Sequence, residues 1–200
     1  MQRAAQLEPI TVDAATGLAA PAQQYASPNC DTRPSGTPID LIIIHNISLP
    51  PGQFGGRSIH DLFCNQLDTS AHPYFEQLEG LKVSAHLLID RQGFVTQFVP
   101  FHLRAWHAGQ SEFNGRSACN DFSIGIELEG EDEVAYADAQ YAQLAAVISA
   151  LRSAYPTLAS GDICGHSDVA PSRKTDPGPA FDWARLQQAL TAPEEEPITK

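Results

Sequence analysis

The chain has 200 residues, 42% of them hydrophobic, and its 12 basic and 24 acidic residues give a net charge of −12. This length and composition are typical of one globular domain with a full core, and no apolar run reaches the length of a membrane-spanning helix. The negative charge disfavours nucleic acid, an anionic membrane or a large anionic polymer as a partner, while a small molecule held by a few local cations stays compatible with it.

The two ends of the chain differ in composition from its middle. Residues 1–26 contain few large apolar side chains, which predicts an N-terminal arm lying over a domain of residues 27–190. No apolar segment of the kind found in signal peptides precedes the small residues 19–22, so we expect a cytoplasmic protein. Residues 191–200 are expected to form a solvated acidic tail. Free thiols are expected at the four widely spaced cysteines, Cys30, Cys64, Cys119 and Cys164.

The hydrophobic pattern predicts strands and helices in alternation. Residues 41–44 are a continuous apolar run, typical of a strand buried on both faces. Short apolar runs between turn residues predict further strands at 85–89, 94–99, 122–129 and 162–165. Apolar residues three and four apart predict helices at 58–67, 137–154 and 181–190. The expected fold is a single α/β or α+β domain with a central mixed sheet flanked by helices.

Two polar segments follow predicted strands. His45 comes directly after the run 41–44, at the carboxyl end of a strand, where open α/β sheets bind ligands. Residues 165–183 contain His166, Lys174 and Asp176, and three prolines restrict the backbone of this loop. The side chains of His45, His166 and Asp176 together provide two nitrogens and one carboxylate, the ligand count of a catalytic zinc site with water in the fourth position.

The same ligand types also occur in non-heme iron oxygenases. Those sites usually place the first histidine and the acid two residues apart, whereas His166 and Asp176 are ten apart. A lysine and a glutamate suited to hydrolysis accompany the ligands, so zinc is favoured over iron.

The predicted strand 122–129 carries two candidate bases. Strand alternation places Glu127 and Glu129 on the same face, and a carboxylate beside metal-bound water can accept a proton during attack on a carbonyl. Periodicity does not choose between the two glutamates, and two solvated glutamates on an open sheet face would be the usual interpretation of such a strand taken alone.

Lys174 is a candidate cation for the same site because it lies two residues before Asp176. An ammonium there would stabilise the oxyanion that forms as water adds to an amide carbonyl. Without the neighbouring ligands, a lysine next to Arg173 would be interpreted as an ordinary surface residue.

Six segments of the chain, in order, resemble one family of enzymes. They are HNISLPPG at 45–52, AHPYF at 71–75, VSAH at 83–86, RAWHAG at 104–109, CNDFSIGIELEG at 119–130 and KTDPG at 174–178. These segments are similar to those of the AmpD family of zinc-dependent anhydro-N-acetylmuramoyl-L-alanine amidases, relatives of phage amidases and peptidoglycan recognition proteins. The resemblance extends over most of residues 27–190.

The resemblance implies a fold, a cofactor and a reaction. The fold would be that of the peptidoglycan recognition proteins and amidases, with Zn²⁺ held by His45, His166 and Asp176. Glu127, rather than Glu129, would be the base, and Lys174 would stabilise the oxyanion. The implied reaction is hydrolysis of the amide between anhydro-N-acetylmuramic acid and L-alanine in muropeptides during cell-wall recycling in the cytoplasm.

The resemblance also suggests residues that contact the substrate, a small muropeptide. Candidates are Asn46, Tyr74, Lys82, Trp106 and Arg116. The family commonly has arginine at the position of Lys82, and lysine offers a point charge in place of a bidentate fork. Some relatives have a second arginine where this chain has Ala118.

The remaining histidines are not expected to bind metal. His60 and His102 are interpreted as surface residues, and His86 and His107 as groups in the site wall or behind the ligands. Cys164, close to His166, is expected to be a buried thiol.

Two other functions fit parts of the pattern. One is a non-catalytic sensor that binds muropeptides, and the other is an amidase for intact peptidoglycan. Sensors of this kind commonly lose a zinc ligand, whereas all three are present here, and the net charge speaks against an anionic polymer. We expect a monomeric enzyme that binds neither nucleic acid nor membrane.

Overall fold

The computed structural model describes residues 9–191, and a six-stranded mixed sheet forms its centre. The strands are β1 Thr11–Asp13, β2 Leu18–Ala20, β3 Gln23–Gln24, β4 Cys30–Thr32, β5 Leu41–Ile47, β6 Leu87–Ile89, β7 Val95–Gln97, β8 Leu103–Ala105, β9 Glu112–Phe113, β10 Arg116–Ser117, β11 Ser123–Glu129 and β12 Asp162–Gly165. The helices are α1 Ser58–Phe63, α2 Asp138–Ala154, α3 Pro156–Ala159, α4 His166–Val169 and α5 Trp183–Thr191. Short 3₁₀ helices span Thr69–Ala71, Pro73–Leu78 and Cys119–Asp121. The predicted mixed sheet flanked by helices is confirmed.

The order of strands in the sheet is β12-β5-β11-β6-β7-β3. Strands β12, β5, β11 and β6 run parallel to one another, whereas β7 pairs antiparallel with β6. The β6–β7 hairpin turns at Gly93, where φ is +87°, as its sequence predicts. His45 lies opposite Glu127 in the register of β5 and β11, and Gly165 lies opposite Ile44. The carboxyl ends of three neighbouring parallel strands therefore meet at one edge.

Helices α2 and α5 cover one face of the sheet. Apolar side chains of β5 and β11, such as Ile44 and Ile126, are fully buried against Leu144 and Ile148 of α2 and Leu186 of α5. On the other face, shorter segments pack around Ile43 and Phe122 and leave room for polar side chains. The sheet is thus apolar towards its helices and carries its functional groups on the opposite side.

Helix α1 is shorter than the predicted helix 58–67. It ends at Phe63, because Asn65 adopts a left-handed conformation with φ +57° and the Cys64 N–H closes on the His60 carbonyl. Ser58 is the first helical residue, and the preceding Arg57 makes no side-chain cap. Asn65 is the signal that sequence periodicity overlooked.

Residues 9–26 of the N-terminal segment pack against the rest of the described chain. Strands β1 and β2 form a hairpin that buries Ile10 and Ala19 in the core, and β3 extends the sheet beyond β7. Arg33 is buried, and its guanidinium donates to the carbonyls of Phe101 and Ser123, which ties this region to β11. The boundary near residue 26, between an arm and the amidase domain, stays a prediction.

Other expectations concern the ends and the thiols. The predicted tail 191–200 lies outside the described residues apart from Thr191, which ends α5. Cys30, Cys64, Cys119 and Cys164 are free thiols, and Cys164 is buried, as expected; Cys119 is buried as well. Among residues 9–191, no helix combines the length and apolarity needed to cross a membrane.

Candidate active site

A cleft of about 770 Å³ opens at the carboxyl ends of β5, β11 and β12. Its floor carries His45 from β5, Glu127 from β11 and His166, which begins α4 directly after β12. Asp176 comes from the loop that follows α4, and the Ser167 N–H donates to its carbonyl at 3.0 Å. Side chains far apart in sequence meet here because three parallel strands end side by side.

The two histidines and the aspartate form a compact triangle. Nδ1 of His45 lies 2.9 Å from Nδ1 of His166, and both nitrogens lie 3.1 Å from Oδ2 of Asp176. All three residues are buried. Among the described residues, this is the one group of three or more His, Cys, Asp or Glu side chains close enough to hold a metal ion.

The size and chemistry of the triangle suit a small divalent cation. Ligand atoms about 2.0 to 2.2 Å from a tetrahedral zinc lie roughly 3.3 Å from one another, close to the observed separations. Burial lowers the pKa of His45 to about 4, so its imidazole is neutral and has a lone pair to offer. Nε2 of His166 lies 3.2 Å from the carbonyl oxygen of Ala108, and therefore donates to it, which leaves Nδ1 of His166 as the bare nitrogen. The residues fit a metal.

The two glutamates of β11 have different surroundings. Both oxygens of Glu129 accept backbone N–H groups, from Gly55 and from Arg91, the latter at 3.2 Å. Glu127 lines the cleft, and its buried Oε2 has no hydrogen-bond partner among residues 9–191. Burial, reinforced by the nearby charge of Asp176, raises the pKa of Glu127 well above its ordinary value, although Lys174 opposes the shift. Of the two glutamates, Glu127 is therefore the one whose carboxyl group faces the cleft with an unpaired oxygen.

Most of the other predicted site residues also line the cleft. Lys174 is exposed at the cleft, and Tyr74, Lys82 and Trp106 also line it. Asn46 lines the cleft as well, but its amide nitrogen donates to Oδ1 of Asp132 at 2.8 Å and to the Pro177 carbonyl at 3.2 Å. Only the oxygen of its side chain is therefore available to a ligand.

Arg116 does not lie at this cleft. It belongs to β10, and its guanidinium binds both carboxylate oxygens of Asp40, at 3.0 and 2.8 Å, and stacks 3.7 Å from the ring centroid of Phe122. Asp40 precedes β5, so Arg116 sits at the opposite end of that strand from His45. The expectation that Arg116 contacts the substrate is not supported by this geometry.

Sequence reasoning missed several residues that line the cleft. Arg173 donates to the carbonyls of Ala108 and Gln110, at 2.6 and 2.8 Å, and lines the cleft beside Lys174. An acidic edge is formed by Glu131, Asp132 and Glu133. The adjacency of Arg173 to Lys174 was the available signal, whereas nothing local marks the acidic edge as part of the site.

The remaining histidines occupy three different environments. His86 is buried behind the site, where Nδ1 accepts the Gly125 N–H at 3.0 Å and Nε2 donates to the Leu103 carbonyl at 3.1 Å. His107 lines the cleft and touches His45. His60, expected at the surface, is half-buried, and its ring lies 5.0 Å from that of Tyr25.

Comparison with known proteins points to one group of enzymes. The profile of the N-acetylmuramoyl-L-alanine amidase family, Amidase_2, matches residues 35–179. The 1,6-anhydro-N-acetylmuramyl-L-alanine amidase AmpD of Citrobacter freundii is 54% identical over 183 residues, which cover 92% of this chain and 97% of the relative.

Solved structures give the same grouping. A crystal structure of a selenomethionine AmpD derivative superposes with a TM-score of 0.86 at 54% identity and covers 90% of this chain and 99% of that one. The amidase AmiD of E. coli, solved with anhydro-N-acetylmuramic acid-L-Ala-D-γ-Glu-L-Lys, gives a TM-score of 0.55 at 26% identity and covers 90% of this chain and 65% of that one.

Proposed function

The chain belongs to the N-acetylmuramoyl-L-alanine amidase family, and we propose that it hydrolyses the amide between anhydro-N-acetylmuramic acid and L-alanine in muropeptides released during cell-wall recycling. A relative with 54% identity over nearly its whole length carries this activity in its name. The related amidase AmiD was solved with a substrate of this class, an anhydro-sugar joined to a short peptide.

One observation carries the proposal. The buried triangle of His45, His166 and Asp176 faces a cleft in which Glu127 is buried with an oxygen that has no partner in the described chain. A binding protein would gain nothing from a buried carboxyl group left unpaired, because such a group costs folding free energy. A hydrolase needs that group as a base.

The protein residues divide the chemistry among them. Zinc, when bound by His45, His166 and Asp176, supplies a Lewis acid and a water molecule of lowered pKa. Glu127 accepts the proton of the attacking water and passes it to the departing amino group of L-alanine. Burial raises the pKa of Glu127 well above its ordinary value, so its carboxyl group holds a proton more readily, which suits delivery of that proton to the amino group.

Lys174 and the cleft walls supply the rest. The ammonium of Lys174 lies on the cleft wall and would stabilise the oxyanion that develops on the lactyl carbonyl. Asn46, Tyr74, Lys82 and Trp106 would hold the sugar and the peptide. The cleft volume of about 770 Å³ suits a ligand of this size.

Three further properties are proposed: the metal, the cellular compartment and the oligomeric state. We propose zinc as the metal, the cytoplasm as the compartment and a monomer as the working form. Metal analysis of the purified protein, cell fractionation and light scattering test these three points separately.

The test of the reaction is mass spectrometry of the purified enzyme given anhydro-muramoyl tripeptide and, separately, intact peptidoglycan. The proposal expects cleavage of the fragment into free tripeptide and anhydro-sugar, loss of this cleavage with a chelator, and its return when zinc is added. The polymer should stay intact over the same period.

Two results would contradict the proposal. Cleavage of the polymer in preference to the fragment would make the protein an amidase of intact wall. Tight binding of the fragment without any cleavage, in protein loaded with zinc, would make it a sensor.

A further inference from the structure

We infer that His107 is a positioning residue for the metal centre: by accepting a hydrogen bond from Nε2–H of His45 and donating one to Ser123, it holds His45 in the tautomer that presents a bare Nδ1 to the cation. This inference rests on the proposed zinc site. It assigns a task to two residues, His107 and Ser123, that play no direct part in the proposed reaction.

The direction of these hydrogen bonds follows from one backbone carbonyl. Oγ of Ser123 lies 2.6 Å from the carbonyl oxygen of Cys119, which can only accept, so the serine proton points there. Nε2 of His107 lies 3.2 Å from the same Oγ. Since the single proton of the serine is already engaged, His107 must donate its Nε2–H to Ser123.

The next contact fixes the tautomer of the ligand. Nδ1 of His107 lies 3.0 Å from Nε2 of His45. With its proton on Nε2, a neutral His107 has a bare Nδ1, so Nε2 of His45 donates the proton that joins them. Nδ1 of His45 is then bare and faces Nδ1 of His166 and Oδ2 of Asp176, at 2.9 and 3.1 Å.

A protonated His107, which would donate from both ring nitrogens, has no neighbour that would stabilise its charge. Its ring contacts His45, His86 and Ser123, and no carboxylate of the described residues bonds to it to stabilise an imidazolium. Nδ1 of His45, Nδ1 of His166 and Oδ2 of Asp176 therefore lie close together with no proton between them, and a bound cation would offset the repulsion among their lone pairs.

A glycine in the adjacent strand makes room for His107. Gly125 lies in the middle of β11, where a Cβ would come within 2.5 Å of Cγ and Nδ1 of the His107 ring. Glycine in the interior of a strand weakens the strand and commonly marks a close approach. The ring of His107 packs against the backbone of Gly125, so its position is determined by contact with β11 as well as by its two hydrogen bonds.

The test compares His107→Leu with His107→Asn. Leucine fills most of the space but cannot accept a hydrogen bond, whereas Oδ1 of asparagine occupies the place of Nδ1 and keeps the acceptor. Loss of such a partner behind a metal ligand typically lowers metal affinity about 10- to 100-fold. We expect that loss for His107→Leu, measured by competition with a chelator of known zinc affinity, and an affinity close to that of the unaltered protein for His107→Asn.

His60→Leu is the matched control. This substitution also removes a half-buried histidine, which bonds to Thr96 and does not line the cleft. It should leave zinc affinity unchanged. Thermal unfolding of each variant checks that the fold is retained.

A second readout needs no substitution at His107. In the zinc-loaded protein, nitrogen NMR of the histidine rings should show His107 neutral, with its proton on Nε2 and a bare Nδ1. Ser123→Ala removes the acceptor of that proton, so the signals of His107 should shift towards a mixture of the two tautomers.

The outcomes separate this inference from the proposed function. A wild-type protein that does not bind zinc would remove the metal site itself. Wild-type zinc binding with unchanged affinity in His107→Leu would overturn the positioning role alone, as would an Nδ1–H tautomer of His107 or an asparagine variant as weak as the leucine variant.

Discussion

At the scale of single residues, Glu127 and Glu129 show how neighbours on one strand face acquire different tasks. Both are buried, but Glu129 is held by the N–H groups of Gly55 and Arg91, whereas Glu127 points into the cleft with one oxygen unpaired. A carboxylate that accepts two backbone N–H groups stabilises the fold, because these are charge-assisted hydrogen bonds. An unpaired one reduces stability.

Replacing each glutamate by glutamine should separate the two tasks. Glu127→Gln should lower kcat by about 100- to 10,000-fold, the usual contribution of a general base, and leave zinc content unchanged. Glu129→Gln should retain most of kcat but lose about 1 to 3 kcal/mol of stability, because one backbone N–H would lose its acceptor. Turnover and thermal unfolding, measured on both variants, test this; equal turnover of Glu127→Gln and the unaltered enzyme would remove Glu127 from the mechanism.

Glu127 should also make the stability of the metal-free protein depend on pH. Its folded-state pKa is raised well above the ordinary value of 4.5, so the unfolded chain ionises first as the pH rises. Above about pH 4.5, folding must therefore either take up a proton at Glu127 or bury its negative charge, and both cost free energy. The free energy of unfolding consequently falls as the pH rises from about 4.5 up to the folded pKa. Glutamine does not ionise, so a glutamine at this position folds without the cost of taking up a proton or burying a charge.

The metal-free Glu127→Gln variant should therefore unfold at a higher temperature than the metal-free parent protein. The difference should be small below pH 4.5 and should grow as the pH rises. Scanning calorimetry over this range checks the sign. A difference that shrinks with rising pH would show that the pKa is lowered instead.

At the scale of elements, the loop that follows α4 delivers Asp176 to the site and is held by close packing against a second loop. Gly178 in this loop has φ +77°, and a Cβ there would overlap the backbone of Asp132. The Ala180 N–H also donates to the Asp132 carbonyl at 2.9 Å. The position of Asp176 therefore depends on a contact between two loops.

Gly178→Ala should disturb this contact, and Gly36→Ala provides a matched control. Gly36 has the same φ of +77° but no atom within 4 Å of an added Cβ, so both variants carry the strain of a left-handed alanine. Only Gly178→Ala adds the overlap with Asp132, expected to cost about 1 to 3 kcal/mol more. It should also weaken zinc binding, since Asp176 moves with the loop. Equal effects of the two substitutions on stability and on zinc affinity would mean that the contact does not position the ligand.

At the scale of the whole molecule, the sequence predicted what short-range patterns determine. The apolar run before His45 defines β5, and helical spacing defines α2 nearly to the residue. Strand periodicity alone could not separate the roles of Glu127 and Glu129, because a period of two places both on one face and their partners come from distant loops. The resemblance assigned Arg116 to the substrate, whereas its pairing with Asp40 depends on tertiary structure and is not visible in the sequence. The short strands β1 to β3 contain few large apolar side chains and gain their order from pairing, which composition does not reveal.

The most direct test of a single catalytic zinc on His45, His166 and Asp176 is a titration. Metal-free protein would receive zinc in steps while hydrolysis of anhydro-muramoyl tripeptide is followed at each step. The rate should start near zero, rise linearly and level off at one zinc per chain, and His166→Ala should stay inactive at the same zinc concentrations. Full hydrolysis before zinc is added, or the same titration curve for His166→Ala, would contradict the proposed metal centre.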